Sequence, residues 1–78
     1  MTAIYTRAQA RRLLPPPPDR RRIRLDAGAS QAEVAAESGV NQSSVHRWEL
    51  GTTTPRGSHL VAYVDVLLRL SAITGVPQ

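Results

Sequence analysis

Between residues 31 and 50 the chain gathers side chains that hydrogen-bond rather than react: Gln31, Asn41, Gln42, Ser43, Ser44, His46 and Arg47. Glutamine pairs bidentately with the edge of adenine and arginine with that of guanine, each pairing worth ~1–3 kcal/mol of discrimination. Catalysis has no comparable support. The chain has no cysteine, which removes thiol nucleophiles, cysteine-rich zinc sites and disulfide frameworks. No phosphate-binding loop, dinucleotide turn or nucleophile elbow is present. His46 and Glu49 stand three apart and His59 is the second histidine. Zinc needs three or four converging ligands, and this spacing does not supply them. We therefore expect no enzyme, no metal, no cofactor and no small-molecule ligand.

The charge distribution points to a polyanionic partner. Ten arginines and no lysine face six acids, for a net charge of +4. Residues 1–24 hold seven of those arginines against Asp19 alone, whereas residues 25–78 carry a slight negative balance. A basic arm on a near-neutral body is a footprint of nucleic-acid binding. Arg20, Arg21 and Arg22, with Arg7, Arg11 and Arg12, are candidates for phosphate contact or for an arm in the minor groove. A merely solvated charge run is the alternative. No run of 18 apolar residues exists, so no membrane span is expected. The first 14 residues are broken by Arg7, Gln9, Arg11 and Arg12 and lack the apolar stretch of a secretory signal. The expected location is the cytoplasm, in association with the nucleoid.

The elements that must position these groups are short helices. At 78 residues the chain has room for one small folded unit with a thin core, and without phenylalanine that core must be aliphatic. Thr6-Arg7-Ala8-Gln9 has the form of a capping box and predicts a helix over about 6–14. The four prolines 15–18 end it and favour a polyproline spacer of about 12 Å. Residues 1–18 thus read as a basic segment attached to a folded unit at 19–78. A helix begins at Pro18 or Asp19 and ends at Gly28. Ser30-Gln31-Ala32-Glu33 is a second capping box, opening a helix that stops at Gly39. Asn41 caps a helix that runs to Leu50 and is closed by Gly51. Ser58 opens the last helix, which reaches about Thr74 before Gly75 and Pro77. No strand pattern survives, so the fold class is all-α with four or five helices.

Two helices at 31–38 and 41–50 joined by a glycine need a reason to lie so close. Ala35 lets the backbones approach, Gly39 accepts the positive φ of a tight turn, and Val45 fills the angle with Val34, Val40 and Trp48. That arrangement is a helix-turn-helix, whose second helix lies in the major groove. At 100° per residue, Val45 and Trp48 share one side, while Ser43, Arg47 and Leu50 point away with His46 on the flank.

The stretch from Arg24 to Leu68 resembles the lambda-repressor/Cro-like, or XRE-type, helix-turn-helix family. Arg24, Ser30-Gln31, Ala35, Gly39, Val45, Trp48-Glu49, Gly51, Pro55 and Leu60 match its pattern in order and spacing. Ser38 departs from it, standing where an apolar residue is usual. The length is nearer a Cro-like protein than a full repressor. The resemblance implies a compact lambda-repressor-like domain in which Asn41, Gln42, Ser43 and Arg47 occupy base-reading positions. It places Gln31, Ser44, His46, Thr52, Thr53, Thr54 and Arg56 near phosphate. It also pairs Arg24 with Glu49 as scaffold, direct phosphate contact being the other reading of Arg24. The implied function is a sequence-specific regulator of transcription acting at a double-stranded DNA operator.

The last helix carries apolar residues over an arc wider than an outer helix needs. Leu60, Val64 and Leu67, flanked by Val61 and Leu68, form one stripe, and Tyr63, Val66, Leu70 and Ile73 another. The second stripe needs cover, either from the N-terminal segment through Ile4, Tyr5 and Leu13 or from a second copy. A homodimer is the expectation, since operators of such proteins are often pseudo-palindromic. An antitoxin-like interaction module using the same apolar helix, and a structural DNA binder without sequence preference, are the alternatives.

Overall fold

The computed structural model describes residues 6–74, which form five helices and, among the described residues, no strand. They are α1 (Arg7–Leu13), α2 (Pro17–Asp26), α3 (Gln31–Ser38), α4 (Gln42–Leu50) and α5 (Gly57–Thr74). Ile4, Tyr5 and the stop signals Gly75 and Pro77 lie outside the described residues.

Local chemistry sets most boundaries. Both capping boxes form: Thr6 and Ser30 each accept from the backbone N–H three residues on, and Gln9 and Glu33 reach back to the cap. Asn41 caps α4 alone, its Oδ1 accepting from Ser44 N at 2.9 Å. Gly39 and Gly51 close α3 and α4 with φ of 75° and 80°, where a side chain would be strained. The polyproline stretch departs from expectation. Pro17 and Pro18 fill the first turn of α2, where a missing N–H costs nothing, so only residues 15 and 16 remain as an extended connection.

α5 is the common partner of α1, α2 and α3, while α3 and α2 also pack against α4. Val34, Ala35, Val45, Trp48, Tyr63, Val66 and Leu67 make the main core, with Ile23, Val40 and Leu70 partly buried against it. The Trp48 and Tyr63 rings meet at 4.7 Å between centroids, tilted by 51°. Ala10, Leu60 and Val64 form a second, smaller cluster, and Leu14 packs against both. α1 therefore folds back over the first stripe of α5 through Ala10 and Leu14, and Leu13 instead faces solvent. The second stripe is covered from within as well: Tyr63 and Val66 lie in the main core. Most of the wide apolar arc is thus covered from within the chain, and its large side chains Leu68 and Ile73 are exposed.

Candidate nucleic-acid interface

α3 and α4 hold the candidate surface rigid because both bury one side completely. Val45 is fully buried, and Trp48 and Glu49 are nearly so. Opposite them, Gln42, Ser43, His46, Arg47 and Leu50 are exposed. Gln31, at the start of α3, borders the same surface, and together Gln31, Gln42, Ser43, His46 and Arg47 line a concavity of about 380 Å³. The groups nearest the N-terminal end of α4 are thus an amide and a hydroxyl, with an imidazole and a guanidinium a turn further on.

Behind that surface lies a buried ionic hub. Arg24 meets Glu49 through two parallel contacts, Nε to Oε2 at 2.5 Å and a second guanidinium nitrogen to Oε1 at 2.9 Å, and also donates to the Ala29 carbonyl at 3.0 Å. Gln31 Nε2 donates to Glu49 Oε1 at 3.1 Å and lies 3.5 Å from His46 Nδ1. Burial opposes ionisation of Glu49, but hydrogen bonds from Arg24 and Gln31 and the charges of Arg24 and Arg21 hold its carboxyl below the usual range. One carboxylate ties α2, α3 and α4 together. Arg24 spends three of its five donors on protein and is only 8% exposed, an arrangement that suits a scaffold pair with Glu49.

The arginine run on α2 divides by helical phase. Arg20 turns inward, donating from Nε to the Pro15 carbonyl at 2.7 Å and from its guanidinium to the Trp48 carbonyl at 2.9 Å. A cation at the C-terminal turn of α4 meets unsatisfied carbonyls and the negative end of the helix dipole. Only 7% of Arg20 is exposed, so it clasps α2 to α4 and does not reach phosphate as the charge run implied. Arg22 points outward between Asp19 and Asp26, at 3.4 and 3.8 Å. Arg21 is exposed and close enough to Glu49 to act on its ionisation. The one sequence signal for Arg20 is its phase: it stands four before Arg24 and three before Ile23, on the packed side of α2.

Other expected donors are partly committed. Asn41 Oδ1 also accepts the Ser44 hydroxyl at 3.1 Å, so Ser44 donates inward and Asn41 presents its NH₂. Thr52 Oγ1 donates to the Arg47 carbonyl at 3.3 Å. Thr53, Thr54 and Arg56 are exposed on the loop after α4. Among the described residues no group of three or more His, Cys, Asp or Glu is placed to hold a metal ion. No helix there is long and apolar enough to cross a membrane.

A short helix, a left-handed glycine turn and a second helix whose outer face carries amide and guanidinium groups define a helix-turn-helix protein. The Helix-turn-helix family HTH_3 matches residues 21–71, about two thirds of the chain. The chain belongs to this XRE-type, lambda-repressor/Cro-like family of DNA-binding regulators. No curated protein and no solved structure gave a match. α1 and its arginines lie outside the matched residues.

Proposed function

We propose that the chain regulates transcription by binding specific sequences in double-stranded DNA, with α4 lying in the major groove. The observation that carries this reading is the outer face of α4. Gln42, Ser43 and Arg47 stand exposed there while Val45, Trp48 and Glu49 anchor the opposite face. Residues at the N-terminal end of a recognition helix approach base edges most closely. Gln42 then reads adenine, Arg47 guanine, and Asn41 and Ser43 contact neighbouring edges. Arg21, His46, Thr53, Thr54 and Arg56 contact phosphates on either side, and the free N–H groups at the start of α4 favour an anion.

Selection of bound sequences from random duplexes tests the reading. Wild type is expected to select a defined site, and Arg47→Ala to lose preference at one base position by about tenfold or more. Equal weakening at every position moves Arg47 to the backbone contacts. A wild-type protein that selects nothing makes the chain a general DNA binder. The finer form of the proposal is two copies on a pseudo-palindromic operator, supported by Leu68 and Ile73 exposed on the second half of α5. Light scattering with a two-half-site duplex reads it directly, and a one-copy complex defeats it.

A further inference from the structure

We propose that Arg20 is a positioning residue for DNA reading: it locks the C-terminal turn of α4 to the α1–α2 junction and so sets the direction of Arg47 without touching the duplex. This rests on the reading of α4 as the recognition helix. It gives residues that precede the family match a part in binding.

The last carbonyls of a helix have no partner within it. At the end of α4 a Schellman pattern meets them, with Thr52 N–H donating to the Arg47 carbonyl at 3.1 Å and Gly51 N–H to the Trp48 carbonyl at 3.3 Å. The second contact is long and shared with the Arg47 carbonyl, so the guanidinium of Arg20 is the shorter donor to Trp48, at 2.9 Å. Arg20 Nε also donates to the Pro15 carbonyl at 2.7 Å, one residue beyond the C-cap of α1. One rigid, planar group therefore holds both elements. Pro17 lies against the same turn, where a Cβ on Gly51 would stand 3.1 Å from its Cγ. Pro15 and Arg20 both precede the matched residues 21–71.

For a side chain that only packs, arginine is an unfavourable choice here. Arg20 is buried, makes no ion pair among the described residues, and has its pKa lowered by burial. Two carbonyls and a helix dipole stand in for a carboxylate, while the hydration of the charge is lost. A hydrocarbon side chain would fill the site without that loss. What the guanidinium adds is direction, since its donors at fixed angles accept only one setting of α4 against α2. Arg47 leaves α4 one residue before the clamped carbonyl, so its side chain moves with that turn.

The experiment compares wild type with Arg20→Met and Arg20→Leu, which keep an apolar stem and remove every donor. Urea denaturation is expected to give midpoints at or above that of wild type. Affinity for the site that wild type selects from random duplexes is expected to fall about tenfold, because the released turn must be ordered on binding. The dependence of log K on log salt is expected to hold, since no phosphate contact is lost. Amide hydrogen exchange at Gly51 and Thr52, read without DNA, is expected to quicken about tenfold while Val34 in α3 keeps its rate. A salt slope shallower by ~0.9 makes Arg20 a phosphate contact and overturns the proposal. Unchanged exchange at Gly51 and Thr52 overturns it too, as does a fall in urea midpoint, or a failure of both variants to fold, that accounts for the lost affinity. A wild-type protein without any selected site defeats the reading of the whole surface. Selection by wild type with affinity unchanged in both variants defeats only this role of Arg20.

Discussion

Glu49 gives the residue scale its clearest consequence. Burial favours its protonated form, yet the Arg24 and Gln31 contacts prevail and the carboxyl titrates below its ordinary range. A carboxyl depressed by folding adds stability above its unfolded value of about 4.3, and that contribution is lost as pH falls through the lower folded value. The thermal midpoint is expected to hold near neutrality and fall below about pH 4; a midpoint unchanged down to about pH 3 removes Glu49 from the account. Arg24→Ala strands a buried carboxylate and is expected to cost ~3–5 kcal/mol in urea denaturation. The opposite sign is expected at Ser38. Its hydroxyl is buried and has no hydrogen-bond partner among the described residues. Ser38→Ala removes that unmet group and improves helix propensity, so stability should rise by ~1 kcal/mol. The Tyr63 hydroxyl is likewise buried and unpartnered, and burial first, then Glu49, pushes its pKa up to about 12. Ser38 was legible in the sequence as a polar residue at an apolar position. The inward turn of Arg20 was much less so, because three adjacent arginines look alike until a partner carbonyl selects one.

At the scale of elements, starts and stops were readable from the sequence because caps are local. Ser30 with Glu33, Asn41, Gly39 and Gly51 each act within four residues, and the structure places every one at a helix end. Packing between elements was less legible. Composition along α5 says that a wide apolar arc needs cover, but not that Ala10 and Leu14 supply part of it. The junction of α2 and α4 is another such case. A Cβ on Gly51 would lie 3.1 Å from Pro17 Cγ, in addition to the strain of φ +80°. At Gly39 the strain is similar, with φ +75°, but an added Cβ would meet nothing within 4 Å. Gly39→Ala therefore isolates the backbone cost of ~1–2 kcal/mol. Gly51→Ala is expected to cost more, because a proline ring in the first turn of α2 has little freedom to retreat. Equal losses in paired urea denaturations would mean that α2 shifts freely against α4, contrary to the Arg20 clasp.

Across the whole molecule the carboxylates are largely spoken for. Asp19 and Asp26 meet Arg22, Glu37 and Asp65 meet Arg69, Glu49 meets Arg24, and Glu33 serves the Ser30 cap. Arg7, Arg11, Arg12, Arg21, Arg47 and Arg56 have no ion pair among the described residues, and all six are exposed. The net positive charge is therefore carried by side chains open to a polyanion, half of them on α1. Deleting residues 1–18 would be a poor test of that half, because it also strips Ala10 and Leu14 from Leu60 and Val64. Replacing Arg7, Arg11 and Arg12 with Gln leaves this packing untouched and removes only charge. Removing one arginine–phosphate pairing flattens the dependence of log K on log salt by ~0.9. If α1 lies along the duplex, the triple variant should bind its site more weakly, keep its base preference and show a slope shallower by up to ~2.7. An unchanged slope would set α1 apart from the duplex and leave its arginines in solvent, with α1 acting only as cover for α5. Because Ala10 is fully buried against α5, either outcome describes a fixed ridge and not a free arm.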